Sequence, residues 1–159
     1  MKPVTFILAS LTILFACNSK PNVTETAATD KPTMNVGSSV NTICYLKTEG
    51  PNSTKVRLIF KGDSVKGNMQ WLPNEKDGAI GTLAGKRRGD SIYVDYNFVI
   101  EGDNEIESKI FVLKNDKLVE LSGELEDKNG KSVMVHPEKA TPRDILLKVN
   151  CNKLVFDNE

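Results

Sequence analysis

From residue 42 onward, apolar and polar side chains alternate. Val65, Gly67, Met69 and Trp71 are separated by Lys66, Asn68 and Gln70, while Ile92, Val94, Tyr96 and Phe98 are interleaved with Tyr93, Asp95 and Asn97. A period of two puts each set on one face of a strand, so both runs predict strands with one buried face. Weaker versions of the pattern predict strands over 43–48, 55–61, 79–86, 106–113, 118–125, 131–136 and 154–157. Between them lie Lys61-Gly62-Asp63-Ser64, Arg88-Gly89-Asp90, Glu101-Gly102-Asp103-Asn104, Lys114-Asn115-Asp116 and Asp127-Lys128-Asn129-Gly130. Gly and Asn adopt positive φ at low steric cost, and Asp bonds its own backbone, so these are tight turns.

Short turns between consecutive strands imply antiparallel hairpins. The expected fold is therefore all-β, an antiparallel up-and-down meander of about eight strands that hides its edges by closing into a small barrel. A two-sheet β-sandwich is the alternative. Glycines 67, 81, 85 and 123 interrupt strand patterns, where a bend or a close backbone approach would require them. One segment reads two ways. Thr141-Pro142-Arg143-Asp144 carries an N-cap residue, a proline at the first helical position and an acid after it, a helix start. Ile145, Leu147 and Val149 alternate as a strand would, and helix and strand both stay open for 142–149.

The N-terminal region follows a different pattern. Lys2 precedes an apolar run over residues 4–16, broken only by Thr5, Ser10 and Thr12. At ~1.5 Å per residue this run covers roughly 20 Å, short of the ~30 Å hydrocarbon core of a bilayer. It has no polar face and leads into a polar segment, which makes it a secretion signal rather than a spanning or core helix. Its end, Leu14-Phe15-Ala16-Cys17, resembles the bacterial lipobox, with Phe15 where that motif prefers a smaller residue. The resemblance implies that residues 1–16 are removed and that Cys17 carries lipid, anchoring the chain to a membrane. Several acyl chains make such attachment effectively permanent, whereas one holds only marginally.

Residues 18–41 are rich in Thr, Ala, Ser, Asn and Pro and have hardly a large apolar side chain. Such a segment cannot offset its ordering entropy by burial, so 17–41 is expected to be a lipidated cysteine and a tether reaching roughly 25–30 Å. Residues 42–159 then form a single domain. No acidic run follows Cys17, and the expected location is the cell envelope, at the outer membrane facing the periplasm.

With Cys17 lipidated, Cys44 and Cys151 remain, one near each end of the domain, in a compartment that permits disulfides. The expectation is that they pair; two buried free thiols are the alternative. Charge narrows the partners. Lys and Arg number 21 and Asp and Glu 21, and removing Lys2 with the signal leaves 20 against 21. A nearly neutral chain argues against a general affinity for nucleic acid.

The glycine-punctuated run from Val65 through Gly67, Gly78, Gly81 and Gly85 to Gly89-Asp90-Ser91-Ile92-Tyr93 resembles the hairpins of small lipocalin-like barrel lipoproteins. The start Cys44-Tyr45, the Gly89-Asp90 turn and the acidic-Gly turn at Glu101-Gly102 are similar to those of a group of uncharacterised lipoproteins of Bacteroidota. The likeness covers residues 44 to 113 and implies a lipocalin-like barrel without implying an activity.

Catalytic signals are sparse. His136, the single histidine, follows a strand pattern beside Pro137, and no nucleophile motif, phosphate loop or metalloprotease spacing occurs. No cofactor, metal or catalytic residue is expected, and the chain is read as a non-enzyme. Lys86-Arg87-Arg88 and the turn acids Glu75, Asp77, Glu101, Asp103 and Asp127 read as solvated turns. Met69, Trp71, Tyr96 and Phe98 share parity within their strands and are the candidate ligand-binding residues, should the barrel hold a cavity; otherwise they are core. The expected function is a membrane-anchored, non-catalytic binding module for a small apolar ligand or an envelope protein. The alternative is a structural or inhibitory lipoprotein acting through protein contacts.

Overall fold

The computed structural model describes residues 39–156; the signal segment, Cys17 and the tether up to residue 38 lie outside them. The described chain contains ten strands: β1 (Asn41–Glu49), β2 (Asn52–Lys61), β3 (Ser64–Leu72), β4 (Ala79–Arg88), β5 (Ser91–Ile100), β6 (Asp103–Lys114), β7 (Lys117–Ser122), β8 (Leu125–Asp127), β9 (Ser132–Met134) and β10 (Thr141–Val149). Strands β1 to β7 and β10 form a closed, eight-stranded, antiparallel up-and-down barrel. The β5–β6 ladder and the β10 strand between β7 and β1 complete the circle. No sandwich forms. Strands β8 and β9 make a small hairpin outside the barrel, joined to β6 through Glu107 and Ser132.

Parity sets the interior. Val56, Leu58, Phe60, Val65, Met69, Leu83, Ile92, Val94, Tyr96, Phe111, Leu118 and Leu146 are buried in one cluster. Gly67 and Gly81 explain how the wall coils so tightly. A side-chain carbon on Gly67 would run into the Arg57 carbonyl of β2, and one on Gly81 into the Asn97 carbonyl of β5. Close backbone approach, rather than a missing packing partner, requires glycine there. The β5–β6 turn takes positive φ at both Glu101 and Gly102, at 53° and 90°, which matches the twist of a two-residue hairpin.

One open reading is settled and two sequence expectations are corrected. Residues 142–149 belong to strand β10 and not to a helix: the strand fills the gap between β7 and β1, puts Leu146 in the core and accommodates Pro142 at a register shift before Asp144. Tertiary pairing outweighs a local helix start because an unfilled gap would leave two sheet edges unpaired. The strand expected over 154–157 does not form across its described part, residues 154–156; a 3-10 turn at Cys151–Lys153 leads into irregular chain through Phe156. The predicted strand over 118–125 is divided, β7 ending at Ser122 and β8 starting at Leu125.

Cys44 and Cys151 form a disulfide, with 5.2 Å between their Cα atoms. The bond lies beside the β1–β10 seam, where only Cys44, Tyr45 and Leu46 find partners on β10. The chain after it folds onto the outer face of β1. There Leu154 and Phe156 pack with Cys44 as a second apolar cluster, and the Arg57 guanidinium stands 4.5 Å above the Phe156 ring.

Candidate functional site

Side chains fill most of the barrel, and one end is hollow. The cavity occupies about 190 Å³ and is lined by residues from the ends of several strands. Met69 and Trp71 come from β3, Ala79 from β4, and Tyr96, Phe98 and Ile100 from β5, which together make an apolar wall. Glu107 and Lys109 of β6, Glu120 of β7 and Arg143 and Asp144 of β10 make a charged wall, and Thr54 of β2 sits between the two. All four candidate ligand-binding residues, Met69, Trp71, Tyr96 and Phe98, therefore line a single space. They do so because an antiparallel meander returns every second strand to the same end, so the late positions of β3 and β5 meet at one mouth.

The apolar wall is held in place by Tyr96. Its ring stacks on Phe98 with centroids 4.5 Å apart and planes 14° from parallel. Its hydroxyl lies 2.8 Å from the Ala79 carbonyl oxygen and 3.0 Å from that of Met69, donating in a shared hydrogen bond that ties β5 to β3 and β4. Burial raises the phenol well above its ordinary pKa, and Glu107 and Glu120 add to the effect.

The charged wall is built around a buried lysine. Lys109 is 6% exposed, and its Nζ donates to Glu107 Oε1 and Glu120 Oε1, each at 2.9 Å. Burial disfavours the ammonium, but the attraction of Glu120 and Glu107 outweighs it, so the Lys109 pKa rises and the side chain stays charged. The ammonium also sits 5.7 Å from the centre of the Tyr96 ring. Nearer the mouth, Lys47 of β1 donates to Asp144 and pairs with Glu49 at 2.9 Å. Arg143 is 3.8 Å from Asp144 Oδ2 and more than half exposed.

The sequence pattern gives little sign of this charged wall, and none of its residues is among the expected site residues. The one signal is that Glu107 and Lys109 share parity with Phe111, which points into the core; Ile106, Ile110 and Val112 on the opposite parity mask it. The other polar candidates lie elsewhere. His136 is about half exposed, with its Nδ1 3.2 Å from Glu138 Oε1, and does not line the cavity. Arg87 donates to the Gly89 carbonyl at 2.6 Å, and Arg88 lies over the Tyr93 ring. Among the described residues, no group of three or more His, Cys, Asp or Glu could hold a metal ion.

Comparison with known proteins gives no match to any family model, curated protein or solved structure.

Proposed function

We propose that this chain is a lipid-anchored envelope lipoprotein of the lipocalin-like kind, whose barrel binds a small, largely apolar ligand without catalysis. The observation that carries the reading is the hollow end of the barrel, lined by the partly buried Trp71 and Phe98, with Phe98 backed by the buried Tyr96 ring. Small-molecule sites are mostly apolar concavities with a few placed polar groups, and the mouths of β-barrels are among their usual positions. A volume of about 190 Å³ is small for such a site, and a dry cavity of about 150 Å³ is enough to take up benzene. The ligand is therefore the size of a single ring with a short substituent. A purely structural or inhibitory role through protein contacts would not require the cavity, which favours the ligand reading over it.

Trp71 is the single tryptophan of the chain and lines the cavity, so its fluorescence reports occupancy directly. Titration with 2-phenylethanol is expected to give a saturable change, and Ala79→Leu, which fills the cavity, is expected to abolish it. Linear responses of the unaltered protein to this and to every other single-ring probe would sink the reading. The anchor is tested separately by Cys17→Ser, which is expected to move the chain from the membrane fraction to the soluble one; retention in the membrane would refute lipid attachment at Cys17.

A further inference from the structure

The charged wall has more carboxylate than cation. Glu107, Glu120 and Asp144 line the cavity against Lys109 and Arg143, and adding the neighbouring pair Lys47 and Glu49 leaves the same excess of one negative charge. Lys109 is already engaged: its ammonium lies between two carboxylates, each contributing one oxygen, Oε1. An incoming anion would meet the more exposed Glu107 carboxylate before it met the buried ammonium. Arg143, the other cation of the wall, leans out at the rim beside Asp144. A neutral ligand would exclude water from the wall while leaving its net charge unbalanced, which is costly in a low-dielectric site. A cation would balance that charge, and an apolar body carrying it would cover the Trp71 and Phe98 side of the cavity.

We propose that the ligand of this cavity is a protonated amine on a single aromatic or compact apolar body. The body lies against Trp71 and Phe98, and the ammonium sits at the Glu107 and Glu120 carboxylates beside Lys109. This assignment rests on the reading of the barrel as a small-ligand site and adds the charge of the ligand to it. The size of the space sets the body at about one ring, and the wall sets the sign of the charge.

Three probes that share a phenyl ring and a two-carbon arm separate the alternatives: 2-phenylethylamine, 2-phenylethanol and 3-phenylpropionate. They are titrated at neutral pH and low salt into the chain from residue 17 onward carrying Cys17→Ser, with Trp71 fluorescence and calorimetry as readouts. The amine is expected to bind at least tenfold more tightly than the alcohol, and the acid most weakly. Glu107→Gln, which brings the wall to zero net charge, is expected to erase the advantage of the amine by weakening the amine without weakening the alcohol; Glu107 is partly exposed, so the variant is expected to fold. Equal binding of amine and alcohol, or tightest binding of the acid, overturns the cation assignment and leaves the small-ligand site standing. No saturable binding of any probe overturns both.

Discussion

Replacing Lys109 with methionine is expected to destabilise the domain by about 3–5 kcal/mol, because removing one partner of a buried ionic group leaves the other charges uncompensated. Here the loss strands two carboxylates. Glu120 is 4% exposed, Glu107 is partly exposed, and both direct an oxygen at the same ammonium. Methionine restores the volume but not the charge, so the cost is electrostatic and has a pH signature. With Lys109 gone, the neighbouring carboxylates are left without the ammonium between them. That signature lies at the alkaline end of the native protein's stability profile. Lys109 and Tyr96 both have raised folded-state values, so their contributions are fully present below the unfolded values of about 10 and are lost as pH rises through the folded ones. Urea denaturation at pH 5, 8 and 10.5 measures all of this. A deficit under about 1 kcal/mol that does not change with pH would contradict a buried triad.

Cys44→Ala combined with Cys151→Ala is expected to lower stability by up to about 4–5 kcal/mol, the chain-entropy value for a loop as long as the observed separation of 107 residues. The effect should also be local. Between β1 and β10 only three partner pairs hold the barrel shut, and the disulfide joins the first residue of that ladder to the chain just beyond β10. Without it, the C-terminal segment that places Leu154 and Phe156 against Cys44 loses its covalent anchor. Hydrogen exchange is expected to accelerate first in β10 and the adjoining part of β1, while β3, β4 and β5, joined by long ladders, stay protected. Uniform acceleration, or a stability loss below about 1 kcal/mol, would show that the seam does not depend on the bond.

Strands that alternate strictly are legible in the amino-acid order alone. Val65 to Trp71 and Ile92 to Phe98 sit on one face each because a period of two is a local property of the backbone. The turn at Glu101-Gly102 is legible for the same reason, as positive φ is a property of a residue and its neighbours. The pairing of Cys44 with Cys151 is one of two expectations for these cysteines, and the structure joins them. Strand β6 is harder to read. Phe111 is buried inside the barrel, Ile110 is buried on the outer face, and Lys109 is buried as well, so the apolar pattern runs on both parities and does not say which face is core. The β8–β9 hairpin beside β6, with Val133 and Met134 near Ile110, is what makes the outer face apolar.

Helix and strand compete evenly over 142–149, and the decision comes from outside the segment, from the two open edges of β1 and β7 that β10 fills. The charged wall has the same origin. Glu107, Lys109, Glu120 and Asp144 lie on three strands, and nothing local to any one of them states that they meet. The sequence by itself determined the period of the strictly alternating strands, the turn positions and the shared face of Met69, Trp71, Tyr96 and Phe98, all consequences of short-range geometry, while the partnership of Cys44 with Cys151 needed the fold that brings them together. Tertiary structure decided for the closed barrel over the sandwich, and it alone placed a hollow at one end with a buried lysine and its carboxylates opposite the aromatic wall. Those outcomes depend on which distant strands become neighbours, and that is settled by barrel closure and not by any single stretch of chain.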